Sequence, residues 1–280
     1  MSSCWPLAAV AQFCATKAVA RNTQICQELV AKAADAGAKM VFLPEASDFV
    51  AESGPEAVLL TDSLEDSPFL KGLCEAAKSE KIWVSVGMHE KGSETHIFNT
   101  HVVIDDQGGI VSKYQKTHLF NVDIKDGPRL MESDTTYAGN VIGQPVSTPL
   151  GRIGLQICYD LRFPELSIAQ RNRGAELLTF PSAFTIKTGM AHWETLLRAR
   201  AIETQTYVVA AAQIGQHISN RASFGNAMIV DPWGTILSRC ADDISPSIAL
   251  ASINLDYLEK VRREMPVMTH RRHDLYPDLH

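Results

Sequence analysis

Along the chain, apolar residues fall into short continuous runs, separated by longer stretches in which they recur every three or four positions. That pattern predicts strands covered by helices. Leu7 to Cys14 reads as a strand, Ala18 to Ala36 as a helix stopped by Gly37, and Met40 to Leu43 as a second strand with Glu45 just beyond its end. A helix over about Pro68 to Glu80 leads into a strand from Ile82 to Met88. Two alternating runs follow, Ile97 to Ile104 and Ile110 to Tyr114, and the Gly pair of Asp105-Asp106-Gln107-Gly108-Gly109 marks a hairpin between them.

Phe120 to Gly143 is rich in turn formers and weakly periodic, which predicts an irregular crossing segment with room for a functional loop. Gly151 to Ile157 then runs as a strand directly into Cys158, and Pro164 introduces a helix from Glu165 to about Arg173. A strand from Glu176 to Phe180, a helix from Met190 to about Thr204, a strand from Tyr207 to Ala212 and a hairpin from Ala227 to Leu237 follow. The second hairpin echoes the first: Val103-Ile104-Asp105 with Gly108 matches Ile229-Val230-Asp231 with Gly234. Two similar halves, or one turn chemistry used twice, would both produce the echo. No Gly/Ser or Pro linker separates the halves, so the expectation is one α/β domain over residues 1–280.

Composition removes several classes. With 280 residues, 45% of them hydrophobic and 21% charged, the chain is neither disordered, collagenous nor coiled coil, and its core needs no disulfide or metal staple. A net charge of −6 without a basic block argues against nucleic acid as a partner. No apolar run approaches the ~18 residues of a membrane span. Cys4, Cys14, Cys26, Cys74, Cys158 and Cys240 lack Cys-x-x-Cys spacing and read as reduced thiols. The expectation is a cytoplasmic protein, with mitochondrial targeting requiring a longer precursor.

Reactive groups of α/β proteins gather beyond the carboxyl ends of strands. Glu45, Lys116 and Cys158 each stand at such an end. A thiol of ordinary pKa is mostly protonated at neutral pH, so a nucleophilic cysteine needs a base or a cation beside it. A carboxylate and an ammonium would supply both, while His118 or His192 would supply the competing cysteine–histidine arrangement. Spacing does not choose between them.

Three blocks carry a resemblance: Phe42-Leu43-Pro44-Glu45, Tyr114-Gln115-Lys116-Thr117-His118-Leu119-Phe120, and Gly154 to Glu165 around Cys158-Tyr159-Asp160-Leu161-Arg162-Phe163-Pro164. They resemble the signature blocks of the nitrilase superfamily, the carbon-nitrogen hydrolases, and the likeness extends to Pro181-Ser182-Ala183-Phe184, Ala191-His192-Trp193-Glu194 and the tail Arg271 to Tyr276. Gln115 stands where many members carry Arg. Within the superfamily the chain is similar to the Nit branch, and there to the amidases of deaminated glutathione rather than to the plant and bacterial nitrilases.

The resemblance implies a four-layer α-β-β-α sandwich of two mixed sheets, with a pseudo-twofold behind the hairpin echo. It implies a catalytic set of Glu45, Lys116 and Cys158, supported by Glu132, working through a cysteine thioester with no metal or organic cofactor. The oxyanion would lie between the Lys116 ammonium and the backbone N–H of Tyr159. The implied substrate, a small-molecule amide with two carboxylates, calls for donors near Phe184, and Thr185, Lys187 and Arg129 are the candidates. The alternatives are an omega-amidase acting on 2-oxoglutaramate, or an interaction or signalling protein on an amidase scaffold. The implied partners are a second copy, through the helices flanking Cys158, and a histidine-triad nucleotide-binding protein.

Overall fold

The alternation within Leu7–Phe13 sets the layers. Ala9, Ala11 and Phe13 point to one side and Ala8 and Val10 to the other, and all are buried, so the strand carries helices on one face and a second sheet on the other. The computed structural model describes residues 5–123 and 129–275, except for the side chain of Arg129.

The first half runs β1 (Leu7–Phe13), α1 (Val19–Asp35), β2 (Met40–Phe42), α2 (Gly54–Leu60), α3 (Pro68–Glu80), β3 (Trp83–Lys91), β4 (Ile97–Ile104) and β5 (Ile110–Gln115). The expected irregular segment holds a small ribbon, β6 (Asn121–Asp123) against β7 (Arg129–Met131), and a 3-10 turn over Glu132–Asp134. The second half runs β8 (Val146–Thr148), β9 (Gly151–Leu155), a 3-10 turn over Cys158–Arg162, α4 (Pro164–Asn172), β10 (Leu177–Thr179), α5 (Ile186–Thr204) and β11 (Tyr207–Ala210). Then come β12 (Ala212–Ile218), β13 (Arg221–Phe224), β14 (Met228–Val230), β15 (Ile236–Arg239), β16 (Ser247–Ser252) and α6 (Leu255–Glu264).

One sheet has the order β13-β12-β1-β2-β3-β4-β5, with β16 also paired to β1, and the other has the order β15-β14-β11-β10-β9-β8. Both are mixed. In the first, β1, β2 and β3 are parallel and β4 and β5 return as an antiparallel hairpin. The second repeats this with β9, β10 and β11 parallel and β14 and β15 antiparallel. The inner faces meet in a core that includes Val10, Phe42, Val103, Ile153, Leu155, Val208 and Ile229. Leu29 and Val30 of α1 and Phe69, Leu70 and Leu73 of α3 cover the first sheet, and Leu166, Trp193, Leu197 and Ala201 of α4 and α5 join the core of the second. The architecture is the four-layer α-β-β-α sandwich.

The echoed turns are the same structure. Asp105 Oδ1 accepts the N–H groups of Gln107 and Gly109, and Asp231 Oδ1 accepts those of Trp233 and Thr235. Gly108 and Gly234 occupy the left-handed region at φ +80° and +88°, which an L side chain rarely adopts.

Two expectations are corrected. Tyr207 to Ala212 is not one strand: β11 belongs to the second sheet, the chain crosses at Ala211, and β12 pairs with β1 in the first. Both pieces are buried, so no change of polarity marks the crossing. The helix expected from Met190 begins at Ile186, because Thr185 caps it by accepting the Thr188 N–H.

Candidate active site

Three strand ends deliver the polar groups to one buried place between the sheets. After β2, Pro44 and Glu45 turn against β3: Gly87 N–H donates to Pro44 O at 3.1 Å and Ser47 N–H to Gly87 O at 2.9 Å. A Cβ on Gly87 would sit 2.7 Å from the Glu45 Cα, so this close approach requires glycine. Gln213 on β12 donates to Glu45 O at 3.0 Å, fixing the loop from the other side.

Lys116 leaves the end of β5 and is 2% exposed. Its Nζ lies 3.0 Å from Glu45 Oε1 and 2.9 and 3.2 Å from the two oxygens of Glu132. Burial alone would lower the Lys116 pKa, but the charges of Glu132 and Glu45 outweigh it and hold the ammonium well above its ordinary value. Glu132 likewise loses by burial and gains more from Lys116 and from the Phe120 N–H at 2.7 Å, so its carboxyl sits below the usual range.

Cys158 follows β9 and lies in the left-handed region at φ 43°, a conformation costing roughly 1–2 kcal/mol for an L residue. Its N–H donates to Pro181 O at 3.0 Å, so the neighbouring strand end holds that geometry. Burial, then the Glu45 charge, push the thiol pKa well up, while Lys116 and a hydrogen bond from the Ala183 N–H pull it down. Among the described residues, Cys14, Cys26, Cys74 and Cys240 are also free thiols, and Cys4 lies outside the described residues.

The cysteine turn and the lysine loop are tied together by Asp160, which is fully buried. Its carboxylate accepts from Tyr114 Oη at 2.8 Å, Thr117 Oγ1 at 3.2 Å, His118 N at 3.1 Å, His118 Nδ1 at 2.7 Å and Ile157 N at 2.9 Å. This settles where the two histidines of the competing arrangement go: His118 serves Asp160 and stacks on Phe163, and His192 accepts from Arg162 Nη2 at 3.2 Å.

Carbon-nitrogen hydrolase sequences as a family match residues 7–263. The chain belongs to the carbon-nitrogen hydrolase family. A human relative named deaminated glutathione amidase is 49% identical over 99% of this hydrolase and 86% of its own length. A Caenorhabditis elegans relative, a nitrilase and fragile histidine triad fusion protein, is 45% identical over 96% of this chain and 61% of its own. The crystal structure of the C. elegans NitFhit protein shares the fold at a TM-score of 0.93 and 44% identity, covering 100% of this chain and 68% of that one. Saccharomyces cerevisiae Nit3 does so at 0.83 and 27%, covering 95% and 96%.

Around the cluster, Tyr159 packs edge-on against Phe120 and Phe163, and Phe184 lies buried against Trp193. Thr185 is engaged as the cap of α5, and Lys187 is exposed on its first turn. Arg129 opens β7, and its side chain lies outside the described residues. The residues that strand-end reasoning misses are Asn99, Asp160, His101 and Arg162. A polar side chain on the buried face of a strand is the signal that marks Asn99 and His101.

His101 on β4 spans the two sheets. Its Nδ1–H donates to Gln156 O at 3.1 Å, two residues before Cys158, and its Nε2 accepts from Ser85 Oγ at 2.6 Å. Burial pulls its pKa down from 6.5 to about 4. Because the folded value is depressed, the neutral ring's contribution is complete above pH 6.5 and is lost as pH falls toward 4, by about 3 kcal/mol. Urea titrations of wild type and His101→Asn across that window check this; a variant with the wild-type pH slope would show that another group is responsible.

Proposed function

We propose that this hydrolase cleaves deaminated glutathione to 2-oxoglutarate and cysteinylglycine through a thioester on Cys158. The observation that carries the reading is the buried convergence of Glu45, Lys116, Glu132 and Cys158 in a chain 49% identical to a relative named for that amidase activity.

At rest the thiol keeps its proton, because burial and the Glu45 charge oppose thiolate formation. Glu45 takes that proton as the sulfur attacks the amide carbon. The oxyanion forms against the Lys116 ammonium and the Tyr159 N–H, which act as preorganised donors. Glu45 then gives its proton to the departing amine of cysteinylglycine, leaving the 2-oxoglutaryl thioester. Water replaces the amine, Glu45 accepts its proton, and the tetrahedral adduct collapses to 2-oxoglutarate and the restored thiol. Glu132 neutralises Lys116 from the far side, so Glu45 need not serve as its sole counter-ion.

A substrate with two carboxylates needs a cation at the mouth. Arg162 supports that role: its guanidinium carbon lies 5.6 Å from the Phe184 ring centre and 5.9 Å from that of Tyr159. Among the described residues its guanidinium hydrogen-bonds to His192 rather than to a carboxylate. Release of 2-oxoglutarate from deaminated glutathione, with 2-oxoglutaramate run in parallel, tests the substrate. Faster turnover of the first is expected, faster turnover of the second would make this an omega-amidase, and turnover of neither would sink the assignment. Arg162→Ala is expected to raise KM about 10- to 100-fold with kcat little changed, the scale of a charge-assisted bond. An equal rise for both substrates places Arg162 on the 2-oxo acid end, a rise for the first alone places it on the glycine end, and an unchanged KM removes it from the site.

The worm and fly fusions support association with a separate histidine-triad protein, which co-purification of the two chains tests. A homodimer through α4 and α5 belongs to the same proposal, with light scattering as its measurement.

A further inference from the structure

Asn99 touches three of the four groups in the cluster. Its Nδ2 lies 2.7 Å from Glu45 Oε1 and 3.1 Å from Glu132 Oε1, and its main-chain carbonyl accepts the Lys116 N–H at 2.9 Å. The amide can face only one way, because the flipped form would turn its oxygen onto two carboxylates. That orientation leaves Asn99 Oδ1 buried with no partner among the described residues. An orphaned buried acceptor is costly, and an aliphatic side chain at this strand position would avoid it. The retained amide therefore serves the carboxylates rather than the packing.

Asn99 Nδ2 and Lys116 Nζ both meet the same oxygen of Glu45, Oε1. Neither contact uses the second oxygen of this carboxylate, whose charge acts on the neighbouring Cys158. Without the amide, Glu45 and Glu132 would share one ammonium, and Glu45 would be free to turn both oxygens onto it. We propose that Asn99 is a positioning residue that separates the two carboxylates and aims one oxygen of Glu45 at Cys158, an assignment that rests on the amidase reading above. The charged and titratable groups facing this point are Glu45 from β2, Lys116 from β5, Glu132 from the 3-10 turn after β7, and Cys158 from β9.

The test uses the full chain with Asn99→Ser and Asn99→Asp. Two pH profiles are measured: kcat/KM on deaminated glutathione, and alkylation of Cys158 by iodoacetamide without substrate, read by mass spectrometry of its peptide. For Asn99→Ser, kcat is expected to fall about 10- to 100-fold with KM within about twofold, since misaimed reacting groups cost on this scale. The acid limb of both profiles is expected to move up by roughly half to one pH unit, because a carboxylate stripped of an N–H donor holds its proton more readily. Asn99→Asp keeps the shape but adds a third carboxylate, so the limb moves further and activity is not rescued. If Asn99→Ser does not fold, Asn99→Asp alone carries the test. An acid limb that stays in place, whether or not the rate falls, overturns the proposal and leaves Asn99 a packing residue. The alkylation arm needs no turnover, so failure of wild type on the substrate defeats the amidase reading while still testing Asn99.

Discussion

Cys158→Ala is expected to reduce release of 2-oxoglutarate on the order of 10⁶-fold in kcat, the scale seen when a hydrolase loses a nucleophile that acts as part of a unit. Cys158→Ser is expected to be nearly as inactive, because a hydroxyl is far less acidic than a thiol and a carboxylate makes a poor base for it. Neither change should unfold the protein. Ala and Cys meet the same steric cost at φ 43°, so the strain at this turn carries over unchanged. The Pro181 carbonyl still receives the amide of residue 158. Thermal denaturation should therefore place both variants within about 1 kcal/mol of wild type. Full activity in Cys158→Ala would remove the thioester mechanism, and the four other described thiols provide an internal control for labelling.

Lys116→Met has a different signature, because it damages both chemistry and stability. Loss of the oxyanion's cation is expected to lower kcat about 10²- to 10³-fold or more. It also leaves Glu45 and Glu132 buried side by side with only the Asn99 amide between them. Removing one partner of a buried ion pair typically costs about 3–5 kcal/mol. The sign of the pH dependence then separates the variant from wild type. In wild type the Glu132 pKa is depressed, so its contribution is present at neutral pH and lost as pH falls through the folded value. In the variant the carboxylate pair favours a proton, so the folded state binds more protons than the unfolded one and the penalty shrinks as pH is lowered. Denaturant unfolding at pH 7.5 and 5.5 should show the stability gap narrowing toward acid. A gap that stays constant or widens would mean that the two carboxylates do not share this ammonium.

Much of the scaffold was legible because its signals are local. An apolar run ending in a reactive residue identifies a strand end, which is how Glu45, Lys116 and Cys158 come into view together. The two Asp-to-Gly turns are equally local, since each aspartate closes a loop on its own neighbours. The crossing at Ala211 is not local: six consecutive apolar residues give no sign that they serve two sheets. β16 and α6 also escape, the first because its alternation is short and its residues half-exposed, the second because only Leu258 and Val261 are buried.

Within the site, the limit is sequence distance. Asn99 meets Glu45 across 54 positions, and Asp160 meets His118 across 42. Strand order within one sheet places Asn99 near Glu45, the facing of the two sheets brings Asp160 to His118, and no spacing rule reaches that far. Asp160 lies inside a recognisable block, yet only the folded chain shows that its side chain faces the lysine loop rather than the substrate side.

Glu45, Asn99 and Lys116 ride on one sheet and Cys158 on the other, with His101 and Tyr114 reaching across the gap. The distance from base to sulfur is therefore a gauge of how the sheets slide on one another. Aliphatic residues that never approach a substrate, such as Val10, Val103, Ile153 and Val208, hold that alignment by packing alone. Trimming a methyl group there loosens the gap without touching a reacting atom. Adaptation to cold or to heat thus has a route through this interior, with the working temperature changed while every polar group of the site keeps its identity.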